Sequence, residues 1–343
     1  MIRTSHPVCI ALLCLFVTAC DKTVETSSDT VEPDSSVVGP DTSEPPSVAA
    51  KPPSLSKLTQ AQYRNTIRDL FGEDVVVPGG LEPDTASDGL FAVGASVSSV
   101  SPLGAERYAD AARSIAAQIV ENSEVLKTLT DCSDESVDVK ACVTELVETA
   151  GTRIWRRPAT AEEVAALVEL GEKASDALDG TLHGIEYVLS AMLQSPYFLY
   201  RVEEGEADGA EGRRYTSWEI ASRLSYFLWN TTPDAELLEA AAGDALIADE
   251  SLADQVDRML ADPRARQGVR SFFADWLGLF GLDDLKKDPN IFKHYAPELG
   301  AMAREETLRV AEDIVFERDA DMREFLTTRR TFVTGRLAAI YNV

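Results

Sequence analysis

The chain has 343 residues, with 58 acidic against 32 basic side chains and a formal charge of −26. Phosphate backbones are held by Lys and Arg, so this balance excludes nucleic acid as a partner and argues against adhesion of the folded body to anionic lipid. Setting the N-terminal segments aside leaves roughly 290 residues, enough for one large core or two modest ones.

In chain order, Arg3 precedes an apolar run, VCIALLCLFVTAC, ending at Cys20. The run is too short for a stable membrane span and fits a secretory signal. Its end, Val17-Thr18-Ala19-Cys20, resembles a bacterial lipobox. That resemblance implies removal of residues 1–19 and lipidation of Cys20. Each buried acyl methylene contributes about 0.8 kcal/mol, so several chains hold a protein durably on a bilayer. The expectation is a lipid-anchored protein of the cell envelope, periplasmic or associated with the outer membrane. Residues 20–53 are rich in Ser, Thr, Asp, Glu and Pro, and predict a disordered tether that cannot offset its ordering entropy by burial.

From there the pattern is helix after helix, with apolar residues at three- and four-residue steps and little strand-like alternation. LTQAQYRNTIRDLFG opens with Thr59 as N-cap and Gln62 as its capping-box partner, and Gly72 ends it. Residues 73–104, rich in Gly, Pro and Ser, read as a long loop of functional interest. Helices are expected at about 104–127, 139–156, 160–176, 180–193 and 196–202. Cys132 and Cys142 flank a short polar loop and, outside the cytoplasm, are expected to form a disulfide.

In GTRIWRRPATAEEV, Arg156 and Arg157 fall where a last helical turn would expose carbonyls, and Pro158 forbids continuation. Thr160 and Glu163 then open the next helix. A third capping box, Thr216 with Glu219, starts a helix whose buried stripe is expected to be Ile220, Leu224, Phe227 and Leu228. Thr232 and Asp262 each precede a Pro and are expected to cap further helices. The last long helix is expected from about Pro297 to Arg318.

Several segments in order carry a family resemblance. IWRRPATAEEV, LSAMLQSPYFLYRVE and EIASRLSYFLWNTTPDAELL resemble the DUF1592 family of exported bacterial proteins. LTQAQYRNTIRDLFG resembles the DUF1587 module, and the RRP and SPYFLYR segments the DUF1595 module. The resemblance covers roughly residues 55–341 and implies no known activity. It also implies a pattern running past LAAIYNV, so the chain is expected to be C-terminally truncated. The organisation that follows is all-α, a multi-helix bundle or array: signal peptide 1–19, linker 20–53, and helical modules 54–131, 132–204 and 205–343, resembling DUF1587, DUF1595 and DUF1592 in turn.

Candidate chemistry is sparse. Three histidines and no HExxH leave no expectation of a metal, and no CxxCH motif or phosphate loop calls for a cofactor. Paired carboxylates on the last long helix, Glu305 and Glu312 among them, are the acid/base candidates. Aromatic residues crowd the middle third and read mostly as core. A groove reading would give Trp229 a binding role, with Arg156, Arg157, Arg201 and Arg223 as polar anchors for a glycan or an envelope protein. The first expectation is a binding or assembly module of the envelope. Its alternatives are an extracytoplasmic enzyme acting on polysaccharide through carboxylates and a partner of a cytochrome-type redox protein.

Overall fold

The computed structural model describes residues 52–132, 138–209 and 212–342. The expected signal peptide, Cys20 and nearly all of the tether lie outside the described residues. Those described belong to one compact unit and are all-α in class. They form fifteen α-helices and two small two-stranded antiparallel sheets.

Strand β1 (Ser54–Lys57) leads into α1 (Gln60–Phe71). Thr59 caps α1 with both arms of the expected capping box, and the Gly72 N–H closes it on Arg68 O. Leu58, ahead of the cap, is buried.

The expected 73–104 loop is interrupted by α2 (Phe91–Val97) and ends early, because Ser101 caps α3 (Pro102–Glu121) with Pro102 in the first position. Distant carboxylates do the capping that local sequence does not reveal. Asp275 Oδ1 and Oδ2 accept from Phe91 N and Ala92 N at 2.8 and 2.9 Å, across 184 and 183 residues. Asp84 accepts from Gln60 N at 2.9 and 3.1 Å, and Glu82 from Ser101 N at 3.0 Å. Each anion meets an N–H that a helix start leaves unpaired.

A short α4 (Ser123–Leu126) precedes the disulfide joining Cys132 and Cys142, whose Cα atoms lie 5.6 Å apart. The expected 139–156 helix is two helices, α5 (Val139–Thr149) and α6 (Gly151–Trp155), separated at Ala150. Next come α7 (Ala161–Leu178), capped by Thr160 and Glu163 as expected, and α8 (Thr181–Gln194). These two pack closely at a pair of glycines. A Cβ on Gly184 would lie 2.7 Å from Gly171 O.

The 196–202 segment corrects the expectation of a helix. Helix α9 (Pro196–Leu199) is one turn, and Tyr200–Glu203 is strand β2, paired with β1 in the register Ser56↔Arg201 and Ser54↔Glu203. A four-residue alternation is too short to recognise before its partner, about 145 residues upstream, is known. A small hairpin, β3 (Glu206–Asp208) and β4 (Gly212–Arg214), follows.

Helix α10 (Ser217–Leu228) carries the expected Thr216–Glu219 box. Its buried stripe differs from the expected one: Ala221, Ser222, Ser225 and Tyr226 are buried, and Phe227 is exposed. The helix is contacted from two sides. Ile220, Leu224 and Leu228 lean on a core around Trp229, while Tyr226 and Asn230 face α1, where the Tyr226 hydroxyl meets Thr66 Oγ1 at 2.9 Å and Asn65 Nδ2 donates to Asn230 O.

Asp234, rather than Thr232, caps α11 (Ala235–Ala242). Helices α12 (Asp249–Ala261) and α13 (Arg264–Trp276) follow, with Asp262 Oδ1 accepting from Arg264 N at 2.8 Å. The expected last long helix is α14 (Leu299–Glu312) continued by a π-helical turn at Asp313–Glu317, and α15 (Gly335–Tyr341) closes the described chain.

The apolar core lies in three clusters. One draws on residues from Tyr63 to Leu199, on both sides of the 131/132 boundary. A second surrounds Trp229 and Leu237, and a third surrounds Phe273 and Leu308.

Candidate functional site

The corner at Arg156 is built by a helix that cannot continue. After Trp155 the backbone turns left-handed at Arg156, with φ 60°, and Pro158 follows. The turn sends the Arg156 side chain inward, where it is buried. Its guanidinium donates to Tyr197 O, Phe198 O and Tyr200 O at 2.5, 3.0 and 2.8 Å. These carbonyls lie at the C-terminal end of α9, so the cation compensates that neighbouring helix end, and it also donates to Ile154 O in the last turn of its own helix at 3.4 Å. It also donates to the Tyr226 hydroxyl at 3.3 Å.

Arg157 is engaged separately. Its fork meets the Glu163 carboxylate at 3.0 and 2.6 Å, and its plane lies 3.8 Å over the Tyr197 ring. The hydrogen bonds from Arg157 hold Glu163 below the usual carboxylate range, with burial opposing and Thr160 N–H assisting.

Three of the four candidate arginines do converge. The pleat of β2 puts Arg201 and Glu203 on one face. One turn of α10 puts Arg223 beside Tyr226. Arg223 is ion-paired with the buried Glu203 and rests 4.5 Å over the Tyr215 ring. Arg156 and Arg201 lie 5.5 and 5.8 Å from the Tyr226 ring centre. Burial is the main influence on Arg201 and pushes it below the usual arginine range; Arg223 and Arg156 add to this, and Glu203 opposes it.

Trp229 lines no groove. It is 0% exposed, its Nε1 donates to Met259 O at 2.9 Å, and the Arg264 guanidinium covers its ring at 3.5 Å. Its position at the end of α10, where α11, α12 and α13 gather, makes it the centre of the second core.

The carboxylates of α14 are already paired. Glu305 accepts from Arg270 and Arg309, and these outweigh burial to hold it below its ordinary range. Two clefts, of about 550 and 350 Å³, flank Glu306, whose oxygens accept from Thr331 and from the Tyr341 hydroxyl. Burial raises the Asp84 carboxyl, with help from Asp275 and Glu82 against Gln60 N–H and Lys57, and Asp84 lines neither cleft. Among the described residues no group of three His, Cys, Asp or Glu could hold a metal ion, and no helix is long and apolar enough to cross a membrane.

One feature was not singled out as a surface from the sequence. Phe272, Trp276, Leu277 and Phe280 are exposed at the end of α13 and the turn after it. Phe272 and Trp276 stack at 6.0 Å, and Phe91 of α2 meets Phe280 edge-on at 5.3 Å. The signal was present as the spacing Phe272-x3-Trp276-x3-Phe280, one turn per step, and aromatic richness concealed it within the expected core.

Three family descriptions match the chain in order. A protein of unknown function, DUF1587, matches residues 57–121; DUF1595, likewise of unknown function, matches 142–203; and DUF1592, also of unknown function, matches 215–343. No curated protein and no solved structure matches it. The chain thus carries segments matching DUF1587, DUF1595 and DUF1592 in sequence, all three families of unknown function.

Proposed function

We propose that this protein is a binding and assembly module of the cell envelope, anchored through a lipid on Cys20, and that its aromatic face around Trp276 docks a protein partner. The observation that carries the reading is the exposed set Phe272, Trp276, Leu277 and Phe280. Aromatic side chains left in water on rigid helical ground are the usual anchors of protein interfaces, because they bury much area at little entropic cost. Arg304, 5.2 Å from the Phe280 ring, supplies a polar rim. The apolar N-terminal run and the Cys20 motif support an envelope location.

The test is affinity capture from envelope extracts with the mature protein and a Trp276→Asp, Phe280→Asp variant of unchanged helical content. A partner that cross-links at Trp276 in the native protein and is lost in the variant supports the reading. Equal recovery by both overturns the docking face. Cys20→Ser, which should release the chain from membranes, tests the anchor separately.

A further inference from the structure

We propose that Arg201 and Arg223, backed by Arg156, form a binding site for a compact oxyanion, and that its ligand class is the phosphate monoester. This site is separate from the aromatic face, and neither proposal rests on the other.

The local charge is the first argument. Two guanidiniums, of Arg156 and Arg201, lie by the Tyr226 ring, and the third, of Arg223, is near enough to act on Arg201 and is paired with the one carboxylate of the cluster, Glu203. The cluster holds two positive charges in excess within a chain whose net charge is −26. Cations partly withdrawn from water are ordinarily matched by anions.

The second argument is an unused donor. Arg156 spends its nitrogens on carbonyls, and Arg223 is paired with Glu203. Arg201 Nε is sealed from solvent with no hydrogen-bond partner. Leaving a buried donor unmet costs about 1–3 kcal/mol. An arginine carries five N–H donors in a planar fork whose spacing matches phosphate and carboxylate oxygens. A bound oxyanion would meet the orphaned donor and cancel the repulsion among the three cations together.

Access is the third. Arg201 as a whole is half-buried and the Arg223 side chain is 38% exposed, so the cluster opens to solvent on the Arg223 side. Charge then chooses among oxyanions. A monocarboxylate neutralises half of the excess, whereas a phosphate monoester near neutral pH carries close to two negative charges. A water molecule would satisfy the donor and leave the charge untouched.

The experiment is calorimetric titration of the full mature chain at neutral pH and low salt with inorganic phosphate, glycerol phosphate and acetate. Both phosphates should bind at one site per chain, with acetate at least about tenfold weaker. Arg201→Gln should weaken phosphate binding at least about tenfold, and Glu203→Gln, which removes the competing anion, should strengthen it several-fold. No saturable phosphate binding by the native chain overturns the site, as does equal affinity in the folded Arg201→Gln protein. Acetate binding as tightly as phosphate overturns the ligand class. If Arg201→Gln does not fold, the Glu203→Gln arm decides: unchanged or weaker phosphate binding overturns the proposal.

Discussion

Single residues here do more than one job, and Glu163 is the clearest case. One carboxylate accepts from Thr160 N at 2.8 Å to complete a capping box and from both arms of Arg157. Its pKa is depressed in the folded state, with the Arg157 hydrogen bonds as the largest cause. A depressed carboxylate contributes stability above its unfolded pKa of about 4.3 and loses it as pH falls through the folded value. Glu163→Gln should therefore cost about 1 kcal/mol at neutral pH, and its denaturation midpoint should fall less than the native protein's on acidification below about pH 4.5. Parallel acid profiles would show that the ion pair adds nothing. Arg156 is the counterpart on the basic side. Its neighbours in sequence suggest the end of its own helix, and it does reach Ile154 O there, but three further bonds serve the end of α9, some forty residues on. The type of work is legible from Arg-Arg-Pro; the distant recipient is not, because only the fold brings those carbonyls near.

At the level of elements, what local sequence encodes came through well. The boxes at Thr59, Thr160 and Thr216 stand where their spacing put them, since each is closed by atoms three residues apart. What depends on distant partners did not. Helix α2 starts on the Asp275 carboxylate, and β2 exists because β1 lies beside it. The stripe of α10 was misplaced for a related reason: a helix touched on two sides buries small and polar residues along with aliphatic ones. Of the proposed anchors, Arg156, Arg201 and Arg223 came together, whereas Trp229 went to the core and Arg157 to Glu163. The contact between α10 and α13 offers a test. A Cβ on Gly268 would sit 2.0 Å from Leu228 O, a backbone atom with little room to yield. Alanine would otherwise favour the helix by about 1 kcal/mol. Overpacking costs about 1–3 kcal/mol, so Gly268→Ala should be net destabilising in urea melts. A stabilised variant would mean that α13 shifts freely.

Among the described residues, one disulfide and many ion pairs hold together a strongly acidic body. Arginines are spent on carboxylates throughout α12, α13 and α14, including Asp234 with Arg258 and Arg264, and Arg270 with Glu305 and Glu312. The disulfide fixes the approach to α5 across a sequence separation of 10. Closing a loop of that length restricts the unfolded chain by about 2–3 kcal/mol. Reduction should lower stability by that amount in guanidinium unfolding, and a Cys132→Ser, Cys142→Ser protein should not respond to reductant. An unchanged midpoint on reduction of the native protein would show that its unfolded state is not constrained in this way.

The pairing of β1 with β2 has a mechanical meaning. Tension on the chain ahead of Ser54 arrives at a ladder of four residue pairs, one of whose rungs joins Ser56 to Arg201. Pulling there loads the strand that carries Arg201 and Glu203, so the chain entering β1 and the arginine cluster share one line of force. An occupant bridging Arg201 to Arg223 would tie that strand to α10 and raise the load at which the ladder unzips.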